Sequence, residues 1–154
     1  MAFALLSPAF KSGHEIPAKH TSEDKGLPPL LDFRGAPPET VSLVLTVTDQ
    51  SAAKGAPVAH WIVYDIPATA GGIGPSGLPP PGSSEGMNDF GKSCYTGPMP
   101  TDTEHRYQFK LYALDIALKG LRQPPLAQVE AAMKGHVLAH ALLIGTYTKK
   151  RKLL

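Results

Sequence analysis

The chain has 154 residues, of which 42% are apolar and 18% charged, so it is long and apolar enough to close one hydrophobic core. Its formal net charge of +2 argues against a strongly basic nucleic-acid-binding protein. Its one cysteine, Cys94, excludes an intrachain disulfide framework and a metal site made of several cysteines, and the 16 prolines and 15 glycines argue against a helical bundle.

The lengths of the apolar runs indicate whether the chain has a signal peptide or a membrane-spanning helix. The first run ends at Pro8 and no basic residue precedes it, so we predict no signal peptide. No run approaches the roughly 18 apolar residues of a membrane-spanning helix. We therefore expect a cytoplasmic protein without a transmembrane segment, with one domain over residues 1–154 and a basic tail at 149–154.

The first half of the chain predicts strands. Prolines scattered over residues 1–40 leave room for short strands only. Alternating apolar and polar side chains predict a strand over 41–49, with Asp49 at its end and in phase with its apolar face.

The next strand is predicted over residues 58–66, which are almost all apolar and should be covered on both faces. His60 lies inside this strand. A strict period of two places His60 on the same face as Val58, Ile62 and Tyr64.

The second half begins with a long connection. Residues 68–104 are dense in glycine and proline, and loops of that length in small domains are usually functional. A third strand is predicted over 105–114, a helix over 125–134 and a last strand over 141–148. The helix follows a proline and ends at a glycine, as helices often do.

Four polar side chains on these strands are candidates for a binding site. They are Asp49 at one strand end, His60 within the next strand, and His105 and Tyr107 on one face of the third. Imidazole and phenol donors suit a phosphate or carboxylate oxygen, and a carboxylate beside a histidine holds its tautomer. The alternation shows only that His105 and Tyr107 share a face.

Each candidate also has an ordinary structural explanation. A histidine in an apolar strand is more often a hydrogen-bonded core residue, and an aspartate at a strand end is usually a turn former. His136 and His140 have the spacing of helical metal ligands, but Gly135 should already have ended the helix. Spacing alone is therefore a weak signal, and we predict no cofactor.

A series of short motifs runs along nearly the whole chain. The main ones are Ser7-Pro8-Ala9-Phe10, Thr46-Val47-Thr48-Asp49, His60-Trp61, Tyr95-Thr96-Gly97-Pro98, His105-Arg106-Tyr107 and Leu111-Tyr112-Ala113-Leu114-Asp115. In this order they resemble the bacterial phosphatidylethanolamine-binding protein family, also called the Raf kinase inhibitor protein-like family.

The resemblance implies a fold and a site. The fold is mainly β, a Greek-key β-sandwich of antiparallel sheets with a few short helices. The site is a small anion pocket formed by Asp49, His60, Gly97-Pro98, His105 and Tyr107. It takes phosphate, phosphorylated head groups and similar small anions, as in a lipid-binding protein, and no catalytic residue is implied.

The chain departs from the family after its first strong strand. The family usually has Asp-Pro-Asp-Ala-Pro, and this chain has Asp49-Gln50-Ser51-Ala52-Ala53. The second aspartate is Ser51 and both prolines are gone, so the pocket rim should be less rigid and less negative. This departure affects the expected ligand preference more than the fold.

Two other functional classes stay open. One is an enzyme that uses the same pocket, either a hydrolase with a histidine base or a site where Asp49, His60 and His105 hold a metal. The other is a regulator that docks a partner protein at the pocket rim. A homodimer is left open as well.

Overall fold

The computed structural model describes residues 2–51 and 57–150, which form two β-sheets and one α-helix. Ala52 and Ala53 of the departing loop, and residues 151–154 of the basic tail, lie outside this part of the chain. The elements are β1 (Ala4–Leu6), β2 (His14–Glu15), β3 (Leu31–Arg34), β4 (Ser42–Asp49), β5 (Val58–Pro67), β6 (Gly72–Ile73), β7 (Ser84–Glu85), β8 (His105–Leu114), α1 (Leu126–Met133) and β9 (Val137–Tyr147).

Most of the predicted elements are confirmed. The strands predicted over 41–49, 58–66 and 105–114 are β4, β5 and β8, and the helix predicted over 125–134 is α1. The first 40 residues form only short strands, as expected. The last strand begins at residue 137, four residues before its predicted start.

The larger sheet has six strands in the order β2–β9–β8–β4–β5–β7, and the smaller sheet has the order β1–β3–β6. Every pair is antiparallel except β2–β9, which is parallel. The predicted mainly β sandwich with few helices is thus confirmed.

Apolar side chains fill the space on both sides of the larger sheet. The inner core lies between the two sheets, where Leu45 and Val47 of β4 pack with Leu5 and Phe33 of the smaller sheet. The outer core lies under α1 and includes Val44 of β4. All eight residues of β4 are therefore buried, polar ones included, although its alternation predicts one apolar face.

A register shift in the β4–β5 pair changes the predicted face of His60. Thr48 pairs with Ala59, but the preceding Val47 pairs with Trp61, so His60 is an extra residue in β5. Its ring contacts Tyr107 of the inner core, while Ile62 lies in the outer core. The prediction that His60 shares a face with Ile62 and Tyr64 is wrong, because the bulge interrupts the two-residue period.

Among the described residues, no helix is long and apolar enough to cross a membrane.

Candidate functional site

Asp49 and His105 are hydrogen-bonded to each other at the end of the larger sheet. Asp49 ends β4 and lies opposite Tyr107 of β8, so the antiparallel register brings His105, two residues away on the same face, within reach. His105 Nδ1 donates to Asp49 Oδ2 at 2.7 Å. The two side chains are only 15% and 9% exposed. The predicted proximity of Asp49, His105 and Tyr107 is therefore present in the structure.

The turn after β4 holds the Asp49 carboxylate in place. Its second oxygen, Oδ1, accepts from the backbone N–H of Ser51 at 2.9 Å. Ser51 Oγ accepts in turn from the backbone N–H of Arg106 at 3.1 Å. Ser51, where the resemblance leads us to expect an aspartate, thus contributes a hydroxyl that ties the turn to β8.

His60 binds a backbone carbonyl through one of its two ring nitrogens. Its Nδ1 donates to the Thr96 carbonyl at 2.7 Å, which fixes the neutral ring with its lone pair on Nε2. No residue of 2–51 or 57–150 forms a hydrogen bond with that Nε2. Burial lowers the pKa of His60, while the Thr96 carbonyl and the charge of Asp49 act in the opposite direction.

Tyr107 lies between the two histidines. Its ring centroid is 5.5 Å from that of His60, in an edge-to-face arrangement, and 6.3 Å from that of His105. Burial, and then the charge of Asp49, raise the pKa of the Tyr107 phenol, so its hydroxyl keeps its proton and stays a donor. Within the described part of the chain this hydroxyl has no hydrogen-bond partner.

Asn88 fastens the long loop to β5 beside His60. Its Nδ2 lies within 3.1 Å of the His60 carbonyl, the Cys94 carbonyl and Thr96 Oγ1, and its Oδ1 accepts from two backbone N–H groups of the same loop. Asn88 is 4% exposed. Sequence reasoning gave it no role, although an asparagine between two loop glycines is a typical organiser of local backbone hydrogen bonds.

Gly97 and Pro98 pack against another segment of backbone. A Cβ at Gly97 would lie 2.5 Å from the His20 carbonyl oxygen, so this approach requires glycine. The Pro98 carbonyl accepts from the N–H of Ser22 at 2.9 Å. Thr96, bonded to His60, and Thr101, bonded to His105, connect this loop to the site. Burial lowers the pKa of His60, while the Gly97 backbone acts to raise it.

Thr101 is a further site residue that sequence reasoning missed. Its Oγ1 lies 3.1 Å from His105 Nε2, the ring nitrogen that does not face Asp49. A threonine in a turn four residues before a strand histidine carries no pattern that would have singled it out.

The donors are not arranged as a metal centre in the part of the chain that the structure describes. Across residues 2–51 and 57–150, no three His, Cys, Asp or Glu side chains are grouped to hold an ion. His140 lies in β9, and His136 precedes it and donates to Asp115 at 2.8 Å, so the two do not share a helix.

The profile of the family described as phosphatidylethanolamine-binding protein matches residues 6–148. This chain belongs to that family. The matched range includes the whole stretch from Asp49 to Tyr107, and the resemblance seen in the motifs is confirmed.

Relatives of this member of the phosphatidylethanolamine-binding protein family occur in bacteria and archaea. A UPF0098 protein of Chlamydia pneumoniae is 38% identical, and one of Methanothermobacter thermautotrophicus is 37% identical; each match covers 94% of this chain and 98% of the relative.

Two crystal structures share its fold. A phosphatidylethanolamine-binding protein homolog of Chlamydia trachomatis has a TM-score of 0.89 at 37% identity, over 97% of this chain and 99% of the other. Escherichia coli YbcL, described as a new member of the mammalian family, has a TM-score of 0.87 at 29% identity, over 97% and 100%.

Proposed function

We propose that this phosphatidylethanolamine-binding protein family member is a non-enzymatic binding protein for a small phosphate-bearing or other anionic ligand. His60, His105 and Tyr107 hold the anion, with Asp49 at the edge. The observation that carries the proposal is the packing of both imidazole rings against Tyr107, with His60 Nε2 and the Tyr107 hydroxyl unpaired within the described residues.

The three groups fit the oxygens of one anion. The Tyr107 phenol is a donor because burial and Asp49 raise its pKa. The imidazoles become donors at Nε2 when they are protonated, since each Nδ1 already donates to a fixed acceptor, Thr96 or Asp49. Hydrogen bonds from a charged imidazolium to an anionic oxygen are about twice as strong as neutral ones.

Asp49 does not bar an anion from this site. Its carboxylate accepts from His105 through one oxygen and from the Ser51 N–H through the other. Its charge favours the protonated, donating forms of the His60 ring and of the Tyr107 hydroxyl. Gly97 and Pro98 contribute by shape, because their packing against His20 and Ser22 sets the path of the loop that holds His60.

Binding should be coupled to proton uptake at His60. Burial lowers the pKa of the free His60 below 6.5, so its ring is neutral at pH 7 and has no hydrogen on Nε2. An anion favours the imidazolium and raises that pKa in the complex. Affinity therefore rises as the pH falls, and it levels off only below the lowered pKa of the free ring.

Isothermal titration calorimetry tests the proposal with inorganic phosphate and with O-phosphorylethanolamine, at constant ionic strength and at pH 6 and 8. Tighter binding of the ester than of phosphate would identify a phosphorylated head group as the preferred source of the anion. The matched control is His140→Ala, because His140 is exposed on β9 and lies opposite Tyr112 of β8, away from the site.

The expected result is tighter binding at pH 6 and a loss of about ten- to hundredfold in His60→Ala and in His105→Ala, since each removes a charge-assisted hydrogen bond worth about 1.5–3 kcal/mol. His140→Ala should bind like the original chain. Unchanged affinity in both His60→Ala and His105→Ala would overturn the proposal.

A further inference from the structure

Thr101 occupies the ring nitrogen of His105 that Asp49 leaves open. His105 Nδ1 donates to Asp49 Oδ2 at 2.7 Å, so Nε2 of the neutral ring is an acceptor, and Thr101 Oγ1 lies 3.1 Å from it. His60 Nε2 and the Tyr107 hydroxyl have no such partner among residues 2–51 and 57–150. One of the three groups proposed to hold the anion is thus already bonded to the chain itself.

The Thr101 hydroxyl has a second partner within reach. Its Oγ1 lies 3.2 Å from the Thr103 carbonyl oxygen and 3.1 Å from Thr103 Oγ1. A hydroxyl has one hydrogen, so Thr101 donates either to His105 or to Thr103 at any moment. When His105 Nε2 is protonated, it donates to an anion, and the Thr101 hydroxyl donates to Thr103 instead. His105 and Thr101 then each keep a hydrogen bond.

The backbone of Thr101 is fixed while its side chain is exposed. Its carbonyl accepts from the backbone N–H of Lys149 at 2.9 Å, which ties this turn to the segment after β9. Exchange between the two hydroxyl partners therefore needs only a rotation of the hydroxyl hydrogen about the Cβ–Oγ1 bond, and a change of χ1 to another staggered rotamer would move the oxygen itself away from His105.

We propose that Thr101 is a cap on the anion site, which a ligand displaces when it binds His105. The proposal rests on the proposed function, because it assumes that His105 Nε2 contacts the anion. The cap competes with every ligand for the same nitrogen. It lowers affinity by about the net contribution of one neutral hydrogen bond, which corresponds to roughly two- to tenfold.

The first test is a calorimetric titration of Thr101→Val with inorganic phosphate at pH 6. Valine keeps the shape of threonine and removes the hydroxyl, so phosphate should bind roughly two- to tenfold more tightly. Thr101→Ser keeps the hydroxyl and should restore the original affinity. Thr69→Val, an exposed residue just after β5, at the opposite end of that strand from His60, is the matched control and should change nothing.

Unchanged or weaker phosphate binding in Thr101→Val would overturn the cap, and weaker binding would show that the hydroxyl contacts the ligand instead. A second measurement needs no ligand: the ¹⁵N chemical shift of His105 Nε2 should differ between the original chain and Thr101→Val, while that of His60 stays the same. An unchanged His105 signal refutes the cap. If the signal changes but the original chain binds no phosphate, the proposed function fails and the capping contact stands.

Discussion

Two buried histidines of this protein share most of their local chemistry. His20 and His60 are 5% and 2% exposed, and each Nδ1 donates to a backbone carbonyl, that of Leu27 at 2.8 Å and that of Thr96 at 2.7 Å. Burial lowers the pKa of both. Their surroundings differ, since the ring of His60 meets the ring of Tyr107 and lies close enough to Asp49 to feel its charge.

His20 and His60 differ in the surroundings of their second ring nitrogen, Nε2. His20 Nε2 is buried and has no hydrogen-bond partner among the described residues, so a proton there would be a buried charge without an acceptor. His60 has donors and a carboxylate beside it, and an anion would supply the missing acceptor. Burial and a lowered pKa are therefore shared by a structural and a candidate binding histidine, and the neighbouring groups tell them apart.

The two histidines are connected through one loop. The Tyr95 hydroxyl donates to the His20 carbonyl at 2.7 Å, and Gly97 packs against the same carbonyl. Thr96, between them, accepts from His60. The backbone of His20 thus supports the loop that orients the His60 ring, and its imidazole takes no part in the proposed site.

The largest expected effect comes from making the same substitution at both positions. His60→Gln should weaken phosphate binding about ten- to hundredfold, because the charged donor at Nε2 is lost. His20→Gln should bind phosphate within about twofold of the original chain, because its side chain lies outside the donor set. Calorimetry at pH 6 measures both affinities. Equal losses in the two variants would show that His60 is no more a binding residue than His20.

The second effect tests the loop that joins them. Gly97→Ala should lower the free energy of unfolding by about 1–3 kcal/mol, because the new Cβ meets the His20 carbonyl oxygen and Thr21 Cα, and backbone must move. Gly74→Ala is the control, because a Cβ there has no neighbour within 4 Å. Urea denaturation compares the two, and an undisturbed Gly97→Ala would show that the loop accommodates the methyl group freely.

The sequence predicts the long strands well and the details of the site poorly. β8 begins and ends where its alternation predicts, because its inner face is apolar and its other face polar. The predicted start of β9 lies four residues too late, because Val137 and Leu138 at the true start are exposed apolar residues that break the alternation.

The directions of the site side chains depend on a β-bulge and on loop contacts, and the alternation of apolar and polar residues predicts neither. The extra residue in β5 turns His60 toward Tyr107, and nothing in an apolar run reveals a bulge. Asn88 and Thr101 lie in the long loop, which folds back so that Asn88 binds His60 of β5 and Thr101 binds His105 of β8. Family resemblance brought Asp49, His60, His105 and Tyr107 together in the prediction, whereas spacing alone supported only the last two.

The third effect is the pH dependence of stability. Because burial lowers the folded-state pKa of His20 and His60, the unfolded chain binds more protons once the pH falls below about 6.5. Stability from these groups is complete above that pH and is lost as the pH falls toward the lowered values, by at most about 1.4 kcal/mol per pH unit for each group.

His20→Gln should therefore make the acid loss shallower, as measured by urea denaturation between pH 7 and 5. His14→Gln is the matched control, because His14 is exposed in β2 and should leave the slope as it was. A slope that is the same in both variants would mean that His20 takes up its proton without cost. Protonation thus has opposite effects at the two residues: at His20 it lowers the stability of the fold, and at His60 it strengthens anion binding.

The smallest effect comes from a histidine whose hydrogen bond with an aspartate is open to solvent. His136 Nδ1 donates to Asp115 Oδ1 at 2.8 Å, nearly the length of the His105–Asp49 bond, but the two side chains are 41% and 44% exposed. Water screens such a pair, and exposed ion pairs contribute about 0–1 kcal/mol. The Asp115 N–H also donates to the His136 carbonyl, a backbone contact that any substitution of the side chain preserves.

His136→Ala should therefore lower the free energy of unfolding by no more than about 1 kcal/mol, and the difference should shrink further in high salt. Urea denaturation at low and high ionic strength measures it, and phosphate binding should not change. A loss of about 2 kcal/mol or more that persists in salt would place His136 among the buried histidines in its energetics. Exposure would then not distinguish the His136–Asp115 pair from the His105–Asp49 pair, and only the groups around each histidine would.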